Sequence, residues 1–121
     1  MAEKKEQNQP TPEKVVEDQA REQTGQQQIR LRVDERSMKT DYANAFRTNA
    51  TAEEVLLDFG LNLVAPTAQQ NQPEIIFQVT ERVIMNYYSA KRLAITLSQM
   101  IRRHEEQFGA LELDVAKRRK G

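Results

Sequence analysis

An α+β fold is the expectation for this chain, and a change in hydrophobic spacing carries it. Ile75, Phe77, Val79, Val83 and Met85 fall on alternate positions, as a half-buried strand requires. From Asn86 onward Ala90, Leu93, Leu97, Ile101 and Phe108 recur every three or four residues, and Gly109 supplies a stop. A second alternating run, Val55 to Val64, stands before both. The prediction is an antiparallel sheet of three to four strands with one long C-terminal helix packed on it. A disordered N-terminal arm precedes the domain.

That arm is assigned to residues 1–28. Val15 and Val16 are its only aliphatics larger than alanine, set among Glu, Gln, Lys, Pro and Thr. Such a composition buries too little apolar surface to offset the entropy of ordering. Within it, Glu13, Glu17 and Arg21 are spaced for a transient helix over Glu13–Gln23, each favourable pair contributing only ~0.2–0.5 kcal/mol. Residues 29–115 are read as a single α+β domain, of a size that buries only roughly 60% of its unfolded surface and is marginal alone. Residues 116–121 form a basic tail.

Ile29, Leu31 and Val33 alternate with Arg30, Arg32 and Asp34, which predicts a short edge strand with one wet face. A strand is expected over Asp41–Asn49, with Tyr42, Asn44 and Phe46 on one face, and a turn over Asn49–Glu54. In the strand Val55–Val64, Gly60 predicts a bulge or a close backbone approach. Pro66–Pro73 reads as a Gln-rich loop. The following strand runs from Glu74 to about Met85, and its polar stretch Gln78–Arg82 is a second place for a bulge. The helix spans about Asn86–Phe108, capped by Asn86 or Ser89 and ended by Gly109. Leu111, Leu113 and Val115 alternate once more, as a terminal strand or an extended segment.

Chemistry-bearing motifs are few. The 121 residues contain no cysteine, which removes disulfides, thiolate catalysis and Cys-ligated zinc. His104 is the only histidine and borders the helix stripe, where a packing role is expected. The charged group Asp34, Glu35, Arg36 and Asp41 reads as solvated turn residues. With four scattered glycines, no phosphate-cradling loop is present. A non-enzymatic protein without cofactor or metal is expected. MAEKKEQNQP lacks the apolar stretch of a signal peptide, and no window approaches the ~18 apolar residues of a membrane span, so a cytoplasmic location is expected.

Two surfaces remain as candidates. Leu56, Val64, Ile76 and Ile84 fall on what the alternation makes the second face of the sheet, which a single helix cannot cover. A second copy is the simplest cover, giving a homodimer or larger homo-oligomer; the alternative cover is Leu111–Val115. The interface set is Leu56, Ile76 and Ile84 from the sheet, with Leu93, Leu97, Ile101 and Phe108 anchoring the helix. The other surface is basic. Arg102, Arg103, Lys117, Arg118, Arg119 and Lys120, after Lys91 and Arg92, make three clusters with a local positive excess. They supply the alternative, weak nucleic-acid binding through phosphate contacts.

The string DYANAFRTNATAEEVLLDFG, followed by TERVIMNYYSAKRLAITLSQMIRRHEEQFG, resembles a family of short bacterial and archaeal proteins of unknown function. The matching positions are Tyr42, Ala43, Asn44, Asp58, Phe59, Arg82, Val83, Ile84, Lys91, Leu93, Phe108 and Gly109. The resemblance runs from Asp41 to Gly109 and implies no catalytic residue. A proline expected before the helix is replaced by Tyr87–Tyr88. The order of elements, antiparallel strands and then a long helix, is also similar to the export chaperone SecB. That likeness implies dimers or tetramers that hold a partner or client chain, though element order alone does not fix function.

Overall fold

The computed structural model describes residues 11–25, 28–66 and 71–118. Two units are distinguished, Met1–Asp41 and Tyr42–Gly121, and each is described by itself.

In the first unit, helix α1 spans Pro12–Gln23. Pro12 sits at its first position, where the missing N–H costs nothing, and Thr11 caps it by accepting a bond from the Lys14 N–H at 3.2 Å. Glu17 pairs with Arg21 and Lys14 with Asp18, both four residues apart. The helix thus occupies the stretch where a transient helix was expected; Met1–Pro10, the start of the expected arm, lies outside the described residues. The strand expected at Ile29–Val33 does not form. Alternation describes how a segment would divide its faces, but a strand also needs a neighbour for its ladder, and among the described residues of this unit no other segment is a strand.

The second unit is one antiparallel sheet followed by helices. Strands β1 (Ala45–Ala50), β2 (Glu54–Val64) and β3 (Ile75–Asn86) lie in the order β1-β2-β3. Helix α2 spans Tyr87–Phe108 and the single-turn α3 spans Val115–Arg118. This is the α+β architecture expected, the sheet having three strands among the described residues, within the three to four predicted. β1 begins at Ala45, later than the expected Asp41, although Asn44 stays attached: its N–H donates to the Gly60 carbonyl and its side chain accepts from the Asn62 N–H. Thr51 shapes the β1–β2 turn by accepting from the N–H groups of Glu53 and Glu54. No terminal strand forms at Leu111–Val115; the segment is irregular and then turns into α3.

Both features expected of Gly60 are present. The β2–β3 register shifts between Phe59 and Gly60, because Phe59 faces Glu81 while Gly60 faces Val79. Thr80 is the extra residue on β3, so the bulge falls inside the polar stretch Gln78–Arg82. At Gly60 the backbones approach so closely that an added Cβ would lie 1.9 Å from the Gln78 carbonyl oxygen.

The bulge corrects the sequence-based division of faces. Past Thr80 the parity of β3 reverses. Ile84 pairs with Leu56, while Ile76 pairs with Leu63, and β2 residues of odd and even number point to opposite sides. Ile76 therefore belongs to the face of Val55, Leu57 and Leu61, and Ile84 to the face of Leu56 and Asp58. The residue that joins Leu56 and Val64 from the far half of β3 is Ile75.

α2 follows β3 with no intervening residue. The Asn86 side chain accepts from the Ser89 N–H at 2.8 Å, and Gly109, at φ 95, ends the helix by donating to the Glu105 carbonyl. Tyr87 donates its hydroxyl to the Thr51 carbonyl at 2.6 Å, tying the helix start to the β1–β2 turn.

Candidate functional site

The one buried charge among the described residues is Asp58, at 2% exposure in the middle of the central strand. Its neighbours in register are Arg47 on β1 and Arg82 on β3, all three on one face. Arg47 Nε donates to Asp58 Oδ2 at 2.7 Å. Arg82 Nε donates to Oδ1 at 2.7 Å, and its Nη2 to Oδ2 at 3.0 Å. The carboxylate is thus clasped from both sides while each guanidinium keeps its outer edge in water.

This geometry sets the electrostatics. Hydrogen bonds from Arg82 first, and Arg47 second, hold the Asp58 carboxyl well below the usual carboxylate range, against the opposing effect of burial. Asp58 in turn raises the pKa of Arg82 above its ordinary value. A carboxylate with so little proton affinity and both oxygens already accepting is a poor general base. Its effect is mechanical, since one side chain on β2 locks β1 and β3 into register. Asp34 is likewise held low by the Arg36 side chain and then its backbone N–H, in an exposed turn. Among the described residues no three His, Asp or Glu side chains come together as a metal site.

The rows flanking the clasp are largely apolar. Asn49, Leu56 and Ile84 form one, and Ala45, Gly60 and Val79 the other. Across the sheet, Thr48–Leu57–Val83 and Ala50–Val55–Met85 line the second face. Among the described residues the only buried hydrophobic is Ala65. Phe46 is 71% exposed, Val64 68% and Ile84 53%. Of the interface set, Leu56 and Leu93 are half-buried, while Ile76, Ile84, Leu97, Ile101 and Phe108 are exposed. The set does not form one patch: Leu56 and Ile84 are paired, Ile76 is on the other face, and the remaining four lie along α2.

His104 stacks on Phe108, ring centroids 4.9 Å apart, at the exposed end of that stripe. Of the basic set, Arg102 is exposed and Arg103 half-buried on α2; Lys117 and Arg118 are exposed on α3. Arg119 and Lys120 lie outside the described residues. The clasp was not foreseen from the sequence, where Asp58 and Arg82 are named together only among the positions that carry the family resemblance. The available signal was a lone acid amid apolar residues, with an arginine central in each neighbouring strand.

Among the described residues no helix is long and apolar enough to cross a membrane. Comparison with curated proteins gives no match, and comparison with solved structures gives none. A family model does match, and it takes in the whole of the Asp41–Gly109 stretch that resembled a family of unknown function. The chain belongs to the family described as "Protein of unknown function (DUF3467)", whose model matches residues 1–113.

Proposed function

We propose that the chain is a cytoplasmic, non-enzymatic interaction module that works as a homo-oligomer and presents apolar sheet and helix surface to a partner protein. The observation that carries this reading is the near absence of a buried apolar side chain in a well-formed sheet and helix. Ordering a residue's backbone costs roughly 1–2 kcal/mol, and burial of apolar area is what offsets it. A lone copy leaves apolar side chains exposed on both faces of its sheet, among them Val64, Ile76 and Ile84, and along α2 at Leu97, Met100, Ile101 and Phe108. A bare side chain of this kind carries on the order of 100 Å². The exposed ones of the second unit together leave on the order of 1,000 Å², comparable to the ~800 Å² each partner contributes to a standard interface.

The Asp58 clasp supports a binding role over a catalytic one, because the one buried carboxylate among the described residues is taken up by strand register. Holding a client chain, as SecB does, is the finer form of the proposal. Sedimentation velocity from low to high micromolar concentration tests the core of it. A dimer or larger assembly is expected; a strict monomer that still unfolds cooperatively overturns it. Suppression of aggregation of an unfolded substrate tests the client-holding form separately. Duplex binding that falls steeply with salt and vanishes on deletion of Lys117–Lys120 would replace association with the nucleic-acid reading.

A further inference from the structure

We infer that Arg47 and Arg82 form a recognition site for a carboxylate of the partner protein, an aspartate or glutamate carried between apolar side chains. This rests on the reading that the sheet surface docks a partner, and it specifies the chemistry that the partner must present.

The balance of charge points outward. Asp58 needs one cation, and Arg82 alone already reaches both of its oxygens. Arg47 pairs with it as well, from the other side. Two guanidiniums around one carboxylate leave a positive charge over. The rows on either side, Asn49–Leu56–Ile84 and Ala45–Gly60–Val79, hold no ionisable side chain to balance it. A single carboxylate from outside does so, whereas a phosphate dianion exceeds what is left over and is repelled by Asp58.

The geometry fits the same ligand. A guanidinium carries five N–H donors, of which Arg47 gives Asp58 one and Arg82 gives it two. Among the described residues the remaining donors meet no other acceptor, and the two side chains are 59% and 50% exposed. Arg47 Nε and Arg82 Nη2 share Asp58 Oδ2, at 2.7 and 3.0 Å, so the two nitrogens stand no farther apart than those bonds laid end to end. An incoming carboxylate, with N–H···O bonds of about 2.7–2.9 Å, can set one oxygen on each guanidinium. The buried Asp58 holds both arginines in place beforehand, which reduces the ordering cost of docking.

The surroundings select a protein side chain over a free anion. Ile84 and Val79, in the rows beside Arg82, are exposed. An acid with apolar neighbours covers these rows and takes the ion pair out of water, the setting in which arginine contributes most to an interface.

The full-length protein is titrated with acetyl-Leu-Glu-Leu-amide and with acetyl-Leu-Gln-Leu-amide while the arginine Nε–Hε signals are followed by NMR. Saturable shifts of Arg47 and Arg82 with the Glu peptide, and about fivefold weaker binding of the Gln peptide, support the inference; fivefold is the upper range for an exposed charge pair. Arg47→Met, its fold verified by circular dichroism, should lose the same factor, and the comparison of the two peptides on the parent needs no variant. Equal binding of the two peptides, or shifts of the same size at Arg30 and Arg32, overturns the inference. Tighter binding of inorganic phosphate than of the Glu peptide overturns it in favour of a free anion. Dissociation of an assembled parent by Arg47→Met overturns it in favour of a second copy on this face. A monomeric parent by sedimentation overturns the homo-oligomer reading, while the peptide comparison still decides the site.

Discussion

Gly60→Ala is the substitution for which the structure gives the clearest number. The added Cβ would lie 1.9 Å from the Gln78 carbonyl oxygen, 2.8 Å from its carbon and 2.9 Å from Val79 Cα. All three obstacles are backbone, so no side chain can swing aside. Relief requires β3 to back away from β2 where the ladder resumes after Thr80, and Gly60 there pairs with both Ala45 and Val79. Overpacking of a tight site costs about 1–3 kcal/mol, occasionally more, and an unyielding contact belongs at the upper end. For a unit of this size, ~3 kcal/mol corresponds to a fall in Tm of roughly 15 °C. Thermal unfolding followed by circular dichroism at a fixed protein concentration measures it, the concentration being held because association would itself move Tm. A variant that melts within about 2 °C of the parent would show that the β2–β3 backbones are not pressed together at Gly60, and the account of the bulge would fail with it.

Three further outcomes follow from the clasp and the helix cap. The folded-state pKa of Asp58 lies below its ordinary value of 3.8, so its stabilising contribution is complete above that pH and is lost as acid is added below it. The parent should therefore lose stability more steeply than Asp58→Asn below about pH 4, by the equivalent of about one proton; parallel acid-unfolding curves would refute this. Arg82 contacts both carboxylate oxygens and Arg47 only one, so Arg82→Met should raise the Asp58 pKa more than Arg47→Met, as read by carboxyl carbon NMR. The reverse order would mean the clasp is held chiefly from β1. Asn86→Ala removes the acceptor for the Ser89 N–H and should cost about 1 kcal/mol in urea unfolding, with no loss expected if water replaces the cap fully.

Much of the fold was legible because β2, β3 and α2 have clean and different periods. Gly60 even announced the irregularity opposite it. What alternation could not convey was the effect of one inserted residue. Thr80 shifts β3 by a single position, and that moves Ile76 to the opposite side from Ile84. The Asp58 clasp was illegible for a related reason. Arg47 and Arg82 lie 11 and 24 residues away along the chain, and only strand register brings them to one carboxylate. Ile29–Val33 has as regular an alternation as any strand, yet a pattern on one segment carries no information about whether another segment will pair with it. Leu111–Val115 repeats that lesson at the other end of the helix.

The missing spacer between β3 and α2 has a mechanical consequence. Asn86 closes the strand and caps the helix at once, so any change of angle between them falls on that one residue. α2 has 22 residues and is about 33 Å long, so a tilt of about 10° at Asn86 sweeps its far end through roughly 6 Å. Force applied at Phe108 is thus delivered, as torque, to the outermost strand. Whatever grips the tip of this lever also strains, or steadies, the whole sheet behind it.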